Sequence, residues 1–327
     1  MNDQGSIATE RLAADEAGLQ RAAAILRAGG LVAFPTETVY GLGADATQAE
    51  AVAGIYGAKE RPRFNPLIAH VPSLAAARAE GVFDRTALAL AEAFWPGPLT
   101  LVVPASPTCT VSDLARAGLE TLGIRVPAHP VAHALLEVVG RPVSAPSANR
   151  SGRVSPTDAA HVLGDLDGRI HAVLDGGAAQ VGVESTIVAC LSEGPRLLRP
   201  GGVAREAIEE VIGRPLEAGH EGAKPLAPGM LASHYAPRAR VRLNAREIQA
   251  GEAALLFGPE PPKGLDGAAM ALNLSERGDP AEAATHLFSY LRRLDASGVS
   301  TIAVAPVPGT GLGEAINDRL RRAAAER

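Results

Sequence analysis

From Asp15 to Arg27 the apolar residues Leu19, Ala22, Ala23 and Leu26 recur three and four positions apart, which predicts an amphipathic helix, and Gly29-Gly30 ends it. LVAFPT then reads as a strand, YGLGADAT as a glycine-rich loop, Gln48 to Tyr56 as a helix and LIAHV as the next strand. Helical stretches follow at Thr86 to Phe94, Val131 to Val138, Asp158 to Leu163 and Arg205 to Ile212. They alternate with the short β-rich runs LTLVVPA, TLGIRVPA, RPVSAPSA, AVLDGG, ESTIVAC and RLLRPG. Several of these runs are consecutive between Ala172 and Pro200, with no helix between them, so the pattern predicts an α/β fold with a mixed sheet.

The periodicity stops between Arg214 and Arg240, where RPLEAGHEGAKPLAPGMLASHYAPRAR is rich in Gly, Pro and Ala, as a linker is. Beyond it AALLFG, MALNLS and TIAVAPV read as strands, with helices from Pro280 to Leu294 and Gly313 to Ala325, enough for a small α/β domain. The expected organisation is a domain over residues 1–213, a linker over 214–240 and a second domain over 241–327. A length of 327 residues fits two domains that each bury a core.

Charge narrows the function classes. The 31 Lys and Arg against 36 Asp and Glu leave a net charge of -5, so there is no general attraction to a polyanion and any nucleic-acid contact has to be a local patch. Cys109 and Cys190 lie beside apolar strands without C-x-x-C spacing and read as buried hydrophobes. No apolar run reaches about 18 residues and the N-terminus has no basic segment followed by an apolar core, so a cytoplasmic location away from membranes is expected.

Against that acidic balance, KERPRFNPL places Lys59, Arg61 and Arg63 within five positions. Pro62 and Pro66 stiffen the segment and push Arg61 and Asn65 toward extended geometry. Such a segment is either a phosphate-binding turn, the guanidinium as a fork and the ammonium as a point charge, or a solvated turn. SAPSANRSGRVSPT, from Ser144 to Thr157, is aperiodic and rich in hydroxyls, a loop at the end of a strand where α/β proteins place ligands, or an ordinary Ser/Asn turn. Arg125 is a cation within an apolar strand and needs either a structural carboxylate or an anionic ligand. His70 in LIAHV is out of phase with its apolar neighbours. GTGLG is too short for G-x-G-x-x-G, no G-x-x-x-x-G-K-[ST] or G-x-S-x-G occurs, and the eight histidines lack H-x-x-x-H spacing, against a zinc site.

FPTETVYGLGADA, KERPRFNPLIAHV, FWPGPLTLVVPAS, SAPSANRSG, ESTIV and LLRPGG, in this order, resemble the threonylcarbamoyl-AMP synthases, across about Gly29 to Gly202. PGMLASHYAP followed by a small domain resembles the two-domain form, whose linker reaches back over the active site. The resemblance implies a YrdC-like mixed twisted sheet with flanking helices plus a small C-terminal Rossmann-like α/β domain. It implies condensation of L-threonine, bicarbonate or CO2, and ATP into L-threonylcarbamoyladenylate and pyrophosphate. Partner proteins of the tRNA threonylcarbamoyl-transfer machinery then use the product, and direct contact with tRNA stays open. Such chemistry requires three substrates held in line and phosphate charge neutralised, with no covalent enzyme intermediate.

By the family pattern Lys59 and Arg61 carry catalysis, and Lys59, Arg61, Asn65, Thr121, Ser147, Asn149, Ser155, Arg199 and Tyr235 bind ATP. Threonine falls to Thr36, His70, Arg125, Ala145 and Ser185, with Arg125 on its carboxylate. Arg63 matters much less. Magnesium is expected to be carried with ATP, since no carboxylate cluster offers a protein-built cage. Many members have glycine where this chain has Glu60, whose side chain is expected to point away from its neighbours on an extended segment. The alternatives are carbamoyl transfer to another acceptor, against which stands the lack of Cys pairs, and a non-catalytic RNA-binding protein, against which stands the net charge.

Overall fold

The computed structural model describes residues 7–62, 64–218 and 235–325. In chain order the first part holds β1 (Glu10–Ala13), α1 (Glu16–Arg27), β2 (Val32–Phe34), β3 (Gly41–Asp45), α2 (Ala49–Lys59), β4 (Ile68–His70), α3 (Leu74–Glu80), α4 (Arg85–Phe94) and β5 (Leu99–Pro104). It continues with β6 (Thr121–Arg125), α5 (Pro130–Val139), β7 (Val143–Ser144), α6 (Ala159–Leu166), β8 (Ala172–Asp175), β9 (Thr186–Leu191), β10 (Gly194–Arg199), α7 (Arg205–Ile212) and β11 (Glu217–Ala218). These strands form one 11-stranded sheet in the order β1-β8-β2-β3-β7-β4-β6-β5-β9-β10-β11. Its pairs are mixed: β4 with β6 and β5 with β9 run parallel, whereas β7 is antiparallel to both β3 and β4. The mixed α/β reading of the sequence therefore holds.

Local chemistry explains most element limits. Asp15 caps α1 by accepting the Gly18 N–H at 2.8 Å, and Ser73 and Asp84 cap α3 and α4 in the same way. Two sequence expectations are corrected. The glycine-rich YGLGADAT is a central strand, because a Cβ on Gly43 would stand 2.9 Å from the Phe34 ring and 3.1 Å from Val143 Cγ1, so glycine is what lets β2, β3 and β7 pack. Helix α2 runs to Lys59, and Glu60 ends it in the left-handed region at φ 54°, ψ 44°, so Lys59 and Glu60 are not on an extended segment. This is the C-terminal position where helices favour glycine. Here Glu60 instead pairs with Arg150 at 2.5 Å and Arg169 at 2.9 Å.

The second part holds β12 (Arg240–Arg242), β13 (Ala253–Leu256), β14 (Met270–Asn273), α8 (Pro280–Ala296), β15 (Thr301–Val304) and α9 (Leu312–Ala324). Its four strands are parallel, in the order β12-β15-β13-β14. The first sheet runs through Ala218 and the second begins at Arg240; residues 219–234 of the expected linker, and Arg63, lie outside the described residues. The two domains share an apolar cluster in which Val39, Val154 and Val183 pack with Leu287, Phe288 and Leu320. Gly182, at φ 78°, makes that docking possible: a Cβ there would meet Thr285 Cα on α8 at 2.4 Å. Among the described residues no helix is long and apolar enough to cross a membrane.

Relief of the left-handed strain at position 60 and loss of two exposed ion pairs nearly cancel, so Glu60→Gly is expected to change stability by less than about 1 kcal/mol. Glu60→Val keeps the strain and loses the pairs, and is expected to cost roughly 1–2 kcal/mol. Urea denaturation of both variants checks the pair.

Candidate active site

A cavity open to solvent lies at one end of the large sheet. Its wall includes Thr36, just beyond β2; His70 and Arg125, register partners at the carboxyl ends of parallel β4 and β6; Ala145 and Ser147, beyond β7; Ser185, before β9; and Arg199, at the end of β10. Arg61, Thr38, Glu184 and Tyr235 add to the polar wall. Ligand sites in α/β sheets gather at such strand ends because the short loops there bring residues distant in sequence to one place.

Lys59, Asn65, Thr121, Asn149 and Ser155 do not line the cavity. Lys59 is 1 % exposed and gives its ammonium to the backbone carbonyls of Ser147, at 2.6 Å, and Asn149. It therefore pins the SAPSAN loop to the end of α2. Asn149 donates to the Arg150 and Arg153 carbonyls at 2.8 and 2.9 Å, and Ser155 donates to Glu184 Oε1 at 2.5 Å. Thr121 sits at the amino end of β6, about 13 Å along the strand from Arg125.

Arg125 has the structural carboxylate that the sequence left as one alternative. Its Nη2 lies 2.6 Å from Glu37 Oε1, Nη1 donates to Thr38 Oγ1 at 3.0 Å and Nε to the Gly97 carbonyl at 3.2 Å. A ligand is thus not needed to explain its burial, although it faces the cavity. Arg199 donates from Nε and Nη2 to the Ser185 carbonyl at 3.2 and 2.8 Å. Among the described residues Arg61, 8 % exposed, reaches only the Pro66 carbonyl, at 3.3 Å, and its buried Nε has no partner there.

That orphan is one of a group. Among the described residues, buried side-chain atoms without a partner also include Asn65 Oδ1, Ser144 Oγ and Asn149 Oδ1 in the segments that meet here, and Thr121 Oγ1, Ser112 Oγ, Arg196 Nε and Arg292 Nε away from the cavity. Unpaired buried polar atoms are rare enough to call for a bound molecule or water.

Burial sets the titration of the site. It pulls Arg61 down to about 10, lowers Arg199 and, with the Arg61 charge adding to it, holds Lys59 well below the usual lysine range. His70 falls to about 3, from burial and then from the Arg125 charge, and is neutral at physiological pH. Glu184 goes the other way. Burial opposes its ionisation, but the Arg319 and Arg199 charges and hydrogen bonds from Ser155 and Arg319 outweigh that and hold it at about 2.

Tyr235, at φ 63° and 1 % exposed, stacks on Phe288 at 5.5 Å with the Arg319 guanidinium 5.2 Å from its ring centroid. The second domain thereby fixes one wall of a cavity otherwise built by the first. Sequence reasoning gave no role to Glu37, Thr38, Glu184 or Arg319. The first two stand inside FPTETV, where a carboxylate amid apolar residues is a signal; Arg319 in NDRLRR looks like a solvated helix face.

Fold and cavity together define a two-domain α/β protein whose cavity is lined by Arg61, Arg125 and Arg199 and walled in part by Tyr235. Residues 24–201 match the Sua5/YciO/YrdC family, described as telomere recombination, and residues 203–325 match the C-terminal domain of threonylcarbamoyl-AMP synthase. A threonylcarbamoyl-AMP synthase of Bacillus subtilis is 42 % identical over 98 % of this chain and 96 % of its own length. One of Pyrococcus abyssi is also 42 % identical, over 96 % of each chain. The crystal structure of P. abyssi Sua5 complexed with L-threonine superposes with a TM-score of 0.87, at 39 % identity and with 97 % of both chains covered. The chain belongs to the threonylcarbamoyl-AMP synthase family and is an enzyme.

Glu184→Gln leaves Arg319 partly uncompensated and is expected to cost about 3 kcal/mol at pH 7. Because the folded carboxyl sits near 2 and an unfolded one near 4.5, its contribution is present above 4.5 and lost as pH falls toward 2. The stability gap between wild type and variant, followed by urea denaturation, should narrow over that range; a gap constant from pH 7 to 2.5 would contradict the ion pair.

Proposed function

We propose that this chain condenses L-threonine, CO2 or bicarbonate, and ATP to L-threonylcarbamoyladenylate and pyrophosphate, the first step of N6-threonylcarbamoyladenosine formation in tRNA. The observation that carries the reading is the buried Arg61, with an unpaired Nε, facing a cavity shared with Arg199. Both have their ionisation lowered by burial, and a polyanion would stabilise their charged forms.

In the proposed arrangement Arg61 and Arg199 take the triphosphate, with Ser147 and Tyr235 beside them. Thr36, His70, Arg125, Ala145 and Ser185 take threonine, and it is the threonine-binding reading, not the choice of residues, that the threonine complex of the P. abyssi relative supports. Lys59, Asn149 and Ser155 support the phosphate wall from behind, through the SAPSAN loop and Glu184. Asn65 and Thr121 do not line the cavity, and no contact with the nucleotide is assigned to them.

The threonine amine forms an N–C bond with CO2 and releases a proton. The carbamate oxygen then bonds the α-phosphorus as the bond to the pyrophosphate oxygen breaks. His70, at about 3, is no base at neutral pH, so the amine has to arrive as its free base. What the protein supplies is position and fixed positive charge. Among the described residues no group of three or more His, Cys, Asp or Glu could hold a metal, and Glu184, the carboxylate in the cavity wall, has both oxygens engaged. Magnesium would travel on the phosphates and water. Cytoplasmic tRNA-modifying partners would consume the product.

The test is threonine- and ATP-dependent pyrophosphate release with labelled bicarbonate entering the adenylate; release without threonine would remove the reading. Arg61→Ala is expected to lower the rate about 100-fold or more, as loss of a fixed charge at a reacting phosphate does. With a neutral His70, the pH–rate profile between pH 5.5 and 8 should carry no inflection that His70→Gln removes. A histidine inflection near 6.5 that disappears in His70→Gln would contradict the buried neutral ring.

A further inference from the structure

Arg319 belongs to α9 of the second domain, yet it is wholly buried and its guanidinium reaches into the first. Nε donates to Glu184 Oε2 at 2.7 Å, Nη2 to the Pro200 carbonyl at 3.0 Å and Nη1 to its neighbour Asp318 at 2.5 Å, while the group lies over the Tyr235 ring. These contacts join ESTIV, LLRPGG and Tyr235 of the linker segment, three of the pieces that bound the cavity.

Glu184 is the carboxylate among the residues that line this cavity, and it is close enough to Arg199 for each to perturb the other's ionisation. An unneutralised anion there would draw Arg199 to itself and repel a polyanionic ligand. Ser155 holds one of its oxygens but, being neutral, cannot cancel the charge. Arg319 holds the other oxygen and can.

We propose that Arg319 is a positioning residue for the anionic substrate: by neutralising Glu184 it leaves Arg199 to the substrate phosphates, so that tight nucleotide binding in the first domain depends on a charge supplied by the second. The inference rests on reading the cavity as an ATP site. It differs from a packing role under Tyr235, because a charge effect is reversed by removing the opposing charge and a packing effect is not.

The experiment measures ATP binding by calorimetry on the full chain, with thermal unfolding as a control, for Arg319→Lys, Arg319→Gln and the Arg319→Gln/Glu184→Gln pair. Arg319→Gln is expected to weaken ATP binding about tenfold or more, Arg319→Lys by less than about threefold, and the double variant to return to within about threefold of wild type. Asp318 keeps Arg322 as a partner in all of them. Wild-type affinity in Arg319→Gln, or a double variant as weak as the single one, overturns the proposal. Should Arg319→Gln alone not fold, the other two carry the test: affinities within threefold support it, and a tenfold loss in the double variant overturns it. Threonine-dependent pyrophosphate release by the unsubstituted protein reports separately on the synthase reading, since ATP binding does not pass through that chemistry.

Discussion

Positive charge held out of water is the constraint on which this structure depends. Lys59, Arg61, Arg125 and Arg199 are each less than a tenth exposed, and a buried ion is tolerated only where oxygen atoms surround it. Three of them rest on backbone carbonyls: Lys59 on Ser147 and Asn149, Arg61 on Pro66, Arg199 on Ser185. A carbonyl stabilises a cation without cancelling its charge. The cavity therefore keeps a positive field, and the loops that supply the carbonyls must keep their shape for the cations to stay buried.

The same constraint explains why the domains are packed so closely. Glu184 lines the positive cavity, and its countercharge comes from Arg319, over a hundred positions away in sequence. The guanidinium arrives in register because Leu287, Phe288 and Leu320 bury against Val154 and Val183, and because Gly182 leaves room for α8. Apolar contact fixes the distance, and the ion pair uses it. Tyr235 is held in a left-handed conformation between Phe288 and Arg319, a strained backbone of the sort that tertiary packing has to enforce.

Much of the fold was legible because apolar periodicity reports burial directly: α1, α4, α5, α7, α8 and α9 were all marked by it. What failed was the reading of glycine. In YGLGADAT the glycines serve close packing between neighbouring strands, a property of the partners and not of the segment, so no local pattern shows it. Helix α3 was missed because LAAARAE has alanine where a helix would ordinarily show larger apolar residues. At the site, residue types in motifs were legible and their orientation was not. Arg61, His70, Arg125, Ser185 and Arg199 meet at the cavity, whereas Lys59, three residues from a predicted helix end, turns inward once α2 extends to include it. The partners Glu37 and Arg319 needed long-range geometry, since an acid in a loop and an arginine on an exposed-looking helix have solvated readings that are ordinarily correct.

Catalysis by such a site has to be argued from placement. Its histidine is neutral and a poor base, its carboxylate is ionised and engaged, and its lysine is turned to backbone carbonyls. None of these groups is poised to move a proton or form a bond with substrate. A mixed anhydride of carbamate and phosphate, however, is more in need of protection from water than of assistance by acids and bases. In the proposed reaction, fixed guanidiniums would favour the departing pyrophosphate, and a cavity closed at one side by a buried tyrosine would meet that need without adding a nucleophile that competes for the product.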